Sequence, residues 1–391
     1  MIRDTFIEQM PFFTDEHRRL AAGAADFVAR EIEPRAGGEE EGETDEHFRV
    51  TLGLLAQADL LRYAVARPDA GAPLDARSLC LIREALAYSS SLADLAFVMQ
   101  GLGTYAVSLA APEHLRDFWL TRARTGKAVA AFALTEPEAG SDVSNIQTTA
   151  VRDGDSYVIN GQKCFISNAG VADFYTVFAR TGTREDGRAE LSAFIVGARM
   201  PGFRVRARTR LIAPHPIGEI EFNNLRLPAE DRLGTEGDGF RLAMGTMDMF
   251  RASVGAAACG MARRALDESL RHARQRRQFD VSIAMHQLIQ EKLAVMQTDL
   301  DAARLLVYRA AYLKDTGASQ SVLTRAASEA KLYATEAAWR IVDEAVQIHG
   351  GQGVVHGQTV ERLYRDVRAL RIYEGTSEIQ KLIIARELLR E

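Results

Sequence analysis

Tyr157-Val158-Ile159-Asn160-Gly161-Gln162-Lys163-Cys164-Phe165-Ile166 is the stretch on which the reading of this chain turns. Its apolar and β-branched residues fall on both sides of Asn-Gly, the dipeptide that most readily supplies the positive φ angles of a two-residue turn. The stretch therefore predicts a β-hairpin. Ala128-Val129-Ala130-Ala131-Phe132-Ala133-Leu134 leads into it as a strand-like run. Short strands are expected at 173–179, 191–196, 203–208 and 218–222, separated by Gly, Asp and Asn clusters. Residues 128–233 thus read as an all-β module, and the residues on either side follow a different period.

Upstream, residues 1–127 read as helical. Thr14 is a natural N-cap with Asp15 and Glu16 in the first turn, and Leu20, Ala24, Phe27 and Val28 form an apolar stripe that ends before Pro34. Further helices are expected around 45–60, 76–90, 92–110 and 113–125, and the acidic, glycine-rich run at 37–43 as a solvated connection. Downstream, in residues 234–391, three long helical patterns occupy 240–274, 286–316 and 319–349, and a last helix occupies 379–389. Helices of that length suit a bundle. The chain is read as a multidomain α+β protein with a helical N-terminal domain, a central β-barrel-like domain and a C-terminal four-helix bundle.

Composition narrows the function. A chain of 391 residues, 47% hydrophobic and 26% charged, is long enough for two or three cores. Its net charge of −5 argues against binding nucleic acid or anionic membrane, which calls for a basic face. Residues 241–391 carry 22 Lys+Arg against 18 Asp+Glu, an excess suited to bound phosphates rather than to a duplex. Three cysteines, Cys80, Cys164 and Cys259, are too few and too scattered for a disulfide framework or a zinc site. No run approaches the roughly 18 uninterrupted apolar residues of a membrane helix, and Met1-Ile2-Arg3-Asp4-Thr5 lacks a signal-peptide layout. A cytoplasmic location is expected.

Two loops carry chemistry. Phe132-Ala133-Leu134-Thr135-Glu136-Pro137-Glu138-Ala139-Gly140-Ser141-Asp142-Val143 joins an apolar strand to the β module. It offers hydroxyl and main-chain donors beside apolar residues, as a flat polar ligand requires. Arg371-Ile372-Tyr373-Glu374-Gly375-Thr376-Ser377-Glu378-Ile379-Gln380 places a carboxylate ahead of a permissive glycine and two possible N-caps, just before a helix start.

Taken with Asn160-Gly161-Gln162-Lys163-Cys164-Phe165-Ile166-Ser167-Asn168, Arg276-Arg277-Gln278-Phe279 and Gln347-Ile348-His349-Gly350-Gly351-Gln352-Gly353, these loops make the chain resemble the acyl-CoA dehydrogenase family from about residue 14 to its end. The resemblance implies a homotetramer built around FAD that desaturates an acyl-CoA to the trans-2-enoyl-CoA and passes electrons to an electron-transfer flavoprotein. Glu374 matches the family's base, which takes the α-proton while the β-hydride goes to flavin N5. The thioester carbonyl would be held by the Glu374 backbone N–H and a flavin ribityl hydroxyl.

Thr135, Ser141 and Ser167 match residues that hydrogen-bond the flavin ring system, and Phe165 matches an aromatic, usually Trp, beside it. Arg276, Gln278 and Phe279 match a stretch reaching a neighbouring subunit's FAD, with Arg276 at the pyrophosphate. Gln347, Gly350 and Gly351 match another FAD-binding stretch, and Thr376 and Glu378 a further pair. Ser141, Arg251, Phe250, Tyr373 and Gly375 are matched to the substrate, and Ala96 and Gln100 to the floor of the acyl pocket. No metal ligand is expected.

Some families of this fold place the base one residue before the arginine that Arg251 matches. Here that residue is Phe250, whose bulk points to a short, branched or unusual acyl group. The family's Gly-x-Arg-x-Ser pattern is replaced by Thr209-Arg210-Leu211-Ile212-Ala213-Pro214-His215-Pro216-Ile217, which leaves the 213–217 loop without an assigned role. Ser167 for Thr and Phe165 for Trp are milder departures. A nitroalkane-oxidase-like flavin monooxygenase and a dehydrogenase of carrier-protein thioesters are the alternatives.

Overall fold

The computed structural model describes residues 5–37, 44–69, 74–185 and 187–390, so the run expected at 37–43 lies, apart from Gly37, outside the described residues. In chain order the helices begin with α1 (Phe6–Gln9), α2 (Asp15–Phe27), α3 (Thr44–Gln57), α4 (Ala76–Ser89), α5 (Ser91–Ala110) and α6 (Glu113–Arg124). The strands β1 (Ala130–Ala133), β2 (Thr149–Asp153), β3 (Ser156–Ser167), β4 (Phe174–Thr183), β5 (Ala189–Gly197), β6 (Phe203–Arg208), β7 (Ile217–Pro228) and β8 (Arg232–Leu233) follow. The chain ends with α7 (Gly239–Gln275), β9 (Arg277–Gln278), β10 (Val281–Ser282), α8 (Gln287–Asp315), α9 (Gln320–His349), α10 (Thr359–Val367) and α11 (Ser377–Leu388). The helix–sheet–helix order is the one read from the period; α10 was not read. Two compact units result: Met1–Glu39, Asp75–Asp94 and Asp248–Glu391 form the first, and Glu40–Leu74 and Leu95–Met247 the second.

The first unit is helical. The Thr14 hydroxyl caps α2 by accepting from the His17 N–H, and His17 Nε2 lies 3.0 Å from Asp75 Oδ1, the carboxylate that caps α4 through Ser78 N–H. One histidine thus ties two helix starts together. α4 is buried along its length, which its charged residues tolerate only because each is paired. Arg83 grips Asp94 with two 2.7 Å bonds, and Glu84 accepts from Tyr308 Oη at 2.7 Å and pairs with Arg304 at 2.9 Å. Small residues let α7 approach its neighbours: a Cβ on Gly260 would stand 2.2 Å from the Glu84 carbonyl, and one on Gly255 2.7 Å from Val307 Cγ2.

The second unit is built on one sheet of strand order β6-β7-β3-β2-β4-β5-β8, with β1 added parallel to β4. The hairpin expected at Asn160-Gly161 is not there. β3 runs unbroken from Ser156 to Ser167, and the turn lies earlier, at Gly154-Asp155 between β2 and β3. Asn160-Gly161 instead lies within β3 opposite a bulge in β7, where the register steps from Ile159/Leu225 to Gly161/Phe222 and leaves Asn223 and Asn224 facing Asn160. Long-range pairing with β7 carries the strand straight through the dipeptide, and the left-handed residue of the bulge is Asn224 on β7, with φ +48°. Gly161 has φ +145° and its α-carbon passes so close to Thr148 that a Cβ would fall 2.6 Å from Oγ1.

Under the sheet lies a core of Phe174, Phe178, Leu191 and Ile195 from β4 and β5, Ala106 and Val107 from α5, and Leu120 and Ala123 from α6. Trp119 packs on Phe174 with ring centroids 4.2 Å apart and the planes tilted by 32°. By length and composition α5 could cross a membrane, and most of its residues are buried.

Candidate active site

Glu374 sits in the first unit between a 3-10 turn (Arg368–Arg371) and α11. Its φ is +52°, the left-handed region that costs a non-glycine residue of order 1 kcal/mol, so the surrounding structure must hold it. Two buried side chains do so from below. Gln380 Nε2 donates to the carbonyls of Glu374 (3.2 Å) and Gly375 (3.0 Å), and Lys331 Nζ donates to the Gly375 carbonyl at 2.7 Å. Gly375 itself has φ +91°, which strains any other residue, and a Cβ there would lie 2.4 Å from Gln380 Nε2 and displace the amide that pins the turn. The Thr376 hydroxyl caps α11 by accepting from Ile379 N–H, and Ser377 Oγ donates to Glu336 at 2.6 Å.

The carboxylate is half-buried, and its Oε2 is buried with no hydrogen-bond partner. Desolvation raises its pKa above the ordinary carboxylate value, while Arg83, Lys331 and Arg251 pull it back down and Asp94 adds to the rise. Burial also works on Lys331, lowering it to about 8 against the attraction of Glu374. Arg251 pairs with Asp248 at 2.9 Å, while its Nε is buried and unpartnered. Arg83, locked on Asp94, also donates to Ser253 Oγ at 2.8 Å. The arrangement is a desolvated carboxylate kept ionisable by fixed cations, with one oxygen left free to take a proton. Phe250 is fully buried on α7, and Tyr373 stays partly exposed.

In the second unit the strand end and the preceding loop are stitched together. The Cys164 N–H donates to the Thr135 carbonyl at 3.0 Å, and Lys163 Nζ donates to Leu134 O (3.0 Å) and to Glu136 Oε1 (2.7 Å). The Glu136 carboxylate also accepts from Gln147 and Thr148 N–H. The Thr135 main chain is thereby held against β3 at Cys164, the residue before Phe165. Phe165 has φ +53° and is 60% exposed, an aromatic face held out of the sheet at a cost in strain. Ser141 is exposed in the turn before the 3-10 segment Val143–Asn145. Ala96 and Gln100 are fully buried, and the Gln100 amide is committed to three backbone groups, Ala123 O, Ala128 O and Ala130 N–H.

The remaining predicted residues lie on the surface of the first unit. Arg276, Gln278, Gln347, Gly350, Gly351 and Glu378 are exposed, and Phe279, 88% exposed, tips a small β9–β10 hairpin whose turn residues Phe279 and Asp280 both have positive φ. The sequence reading did not find Arg83, Asp94, Lys331 or Gln380. The signal was present as charge inside apolar helical runs, such as Leu81-Ile82-Arg83-Glu84-Ala85-Leu86. What the charges paired with was not legible.

The chain matches three family descriptions in order: "Acyl-CoA dehydrogenase, N-terminal domain" over residues 14–127, "middle domain" over 131–225 and "C-terminal domain" over 237–389. The chain belongs to the acyl-CoA dehydrogenase family, whose members are flavoprotein oxidoreductases acting on CH–CH groups. It is 38% identical to cyclohexane-1-carbonyl-CoA dehydrogenase of Geobacter metallireducens, over 97% of this chain and 99% of that one. Butyryl-CoA dehydrogenase from Megasphaera elsdenii superposes with a TM-score of 0.86 at 33% identity, over 97% and 99% of the two chains. A glutaryl-CoA dehydrogenase from Mycobacterium smegmatis, solved in complex with FADH2, gives a TM-score of 0.88 at 26% identity, over 100% and 99%.

Proposed function

We propose that the protein catalyses the FAD-dependent α,β-dehydrogenation of an acyl-CoA thioester to the trans-2-enoyl-CoA, with Glu374 as the base and an electron-transfer flavoprotein as the electron acceptor. One observation carries the assignment of Glu374: a pinned, left-handed residue whose carboxylate is desolvated, faces three cations and keeps one oxygen unpartnered. A base of raised pKa is better matched to a weakly acidic α-proton than an ordinary surface carboxylate.

The residues present fit a flavin. Phe165 displays an exposed aromatic face, Ser167 follows two residues on along β3, and Thr135 is bonded through its carbonyl to the neighbouring Cys164 N–H. The exposed group Arg276, Gln278, Phe279, Gln347, Gly350 and Gly351 supplies a cation, amides, an aromatic and bare backbone of the kind a dinucleotide needs, and supports a homotetramer in which this group reaches a neighbour's FAD. Bound FAD would accept the β-hydride. Glu374 takes the α-proton onto Oε2, Arg83, Lys331 and Arg251 keep it ionised until then, and Gln380 and Lys331 hold the Glu374–Gly375 peptide still.

The relatives act on a cyclic and a short acyl group, and the buried Phe250 accords with a compact acyl moiety. The test is anaerobic mixing of the holoprotein with acyl-CoAs of graded length and branching, including butyryl- and cyclohexanecarbonyl-CoA, while flavin absorbance is followed. Bleaching by a compact acyl-CoA is expected, together with loss of at least about 10³-fold in rate for Glu374→Gln. Bleaching by no acyl-CoA, or a Glu374→Gln variant as fast as wild type, refutes the assignment.

A further inference from the structure

The loop that departs from the family pattern delivers a side chain to the predicted flavin face of the second unit. His215 is flanked by Pro214 and Pro216; the second proline restricts His215 to extended backbone, and the first fixes its own φ. The loop is tied at both flanks, by Thr209 N–H to the Ile217 carbonyl (3.0 Å) and by Asn168 N–H to the Pro216 carbonyl (2.6 Å). Ser167 pairs in register with Ile217 across β3 and β7. The result is that His215 Nε2 lies 2.8 Å from Ser167 Oγ. Burial, with Arg208 as a nearby like charge, lowers the imidazole to about 4, so near neutral pH the ring presents one donor nitrogen and one acceptor nitrogen.

We propose that His215 is a positioning residue that sets which way the Ser167 hydroxyl donates, and through it the relative affinity of the site for oxidised and reduced flavin. The proposal rests on the reading that Ser167 bonds the flavin ring system. A serine hydroxyl has a single proton. When that proton goes to Nε2, Ser167 can only accept from a ligand; when Nε2–H donates to Oγ, Ser167 can donate to one. The oxidised flavin ring offers an acceptor at N5 and the reduced ring a donor N–H there. A neutral imidazole holds the hydroxyl in one arrangement or the other according to its tautomer, and the tautomer favoured in the fold favours the matching redox state of the flavin. An apolar residue at 215 removes that partner and leaves the hydroxyl without a fixed direction. A site that changes its differential affinity for two states changes their equilibrium by the same factor.

The experiment is an anaerobic reductive titration of the holoprotein against a reference dye, with the visible spectrum recorded, for wild type, His215→Phe, His215→Gln, Ser167→Ala and the Ser167→Ala/His215→Phe double variant. His215→Leu replaces His215→Phe if the ring does not fit the loop. Removing the imidazole is expected to shift the equilibrium constant for two-electron reduction about tenfold, which is about 30 mV for a two-electron couple. His215→Gln, which can place an amide donor or acceptor at the same point, is expected to stay near wild type. In the Ser167→Ala background the effect of His215→Phe is expected to vanish. If Ser167→Ala shifts the potential and His215→Phe does not, or if His215→Phe shifts it equally with and without the Ser167 hydroxyl, the role of His215 is refuted while the flavin contact stands. If Ser167→Ala alone moves neither potential nor spectrum, the flavin contact falls and the proposal falls with it.

Discussion

Replacing Lys331 with methionine separates its structural work from its electrostatic work. In the fold Lys331 is lowered from 10.5 to about 8 by burial, so at pH 7 the protein carries a buried ammonium it would sooner not have. A shift of that size corresponds to about 3 kcal/mol. The sign follows: the unfolded chain binds the proton more tightly, so the penalty is fully present below pH 8 and is relieved as pH rises towards 10.5. Methionine, of similar length, removes the penalty and also removes the hydrogen bond to the Gly375 carbonyl, a loss of about 1–3 kcal/mol. That carbonyl still accepts from Gln380 Nε2 at 3.0 Å and is not orphaned.

The two contributions oppose each other, and stability at pH 7 is expected to change by less than about 2 kcal/mol in either direction. Glu374 responds differently. Losing one of the three cations that hold its pKa down lets desolvation raise it further, and each unit of rise cuts the ionised fraction about tenfold on the acid side. The assay is the pH dependence of flavin reduction by substrate in stopped flow, beside urea unfolding at pH 7. The acid limb is expected to move to higher pH with the plateau rate retained. The Arg83–Asp94 pair is the same in both proteins, so the difference between their limbs reports Glu374. A limb that stays put or moves to lower pH, or a rate that falls equally at every pH, would refute the electrostatic role.

Three further outcomes are expected. Arg83→Met strands Asp94 as a buried unpaired charge and should cost about 3–5 kcal/mol in denaturant unfolding, while Arg83→Met with Asp94→Leu should recover most of it; a double variant no better than the single would show that the pair is not the cause. Gly260→Ala pushes a methyl to 2.2 Å from the Glu84 carbonyl, a backbone atom that cannot swing away, and should lower stability by about 1–3 kcal/mol; an unchanged melting temperature would mean that α7 can slide on α4. His215, lowered to about 4, contributes stability that is present above its unfolded value of 6.5 and is lost as pH falls towards 4, up to about 3 kcal/mol and less where water reaches the ring. Melting temperatures of wild type and His215→Gln from pH 7 to pH 4 should therefore diverge in slope, and parallel curves would count against a buried neutral imidazole.

The helical stretches were legible because each carries its own signal. Thr14 caps α2, and the long apolar periods of α7, α8 and α9 begin and end within a residue or two of where the sequence put them. The turn at Glu374 was legible because Gly375 and Thr376 announce a helix start, and Glu374 became a candidate base through the family resemblance. The Asn160-Gly161 hairpin failed because its signal is ambiguous: a glycine serves a turn or a close approach inside a strand, and the pairing with β7 that settles the matter comes from residues more than 50 positions away. The short α10 went unread, its stripe of Val360, Leu363 and Val367 being too brief to stand out after the glycine-rich 350–357 run.

By itself, then, the sequence determined the order of helix, sheet and helix and the family resemblance, which in turn singled out Glu374 as the candidate base, since local period, capping and motif spacing are properties of neighbouring residues. The tertiary structure alone decided what surrounds that base. Arg83, Asp94, Lys331 and Gln380 come from four separate segments, and His215 reaches Ser167 across 48 positions. Charge pairing, desolvation and hydrogen-bond direction act over a few ångströms of space, whatever the separation along the chain.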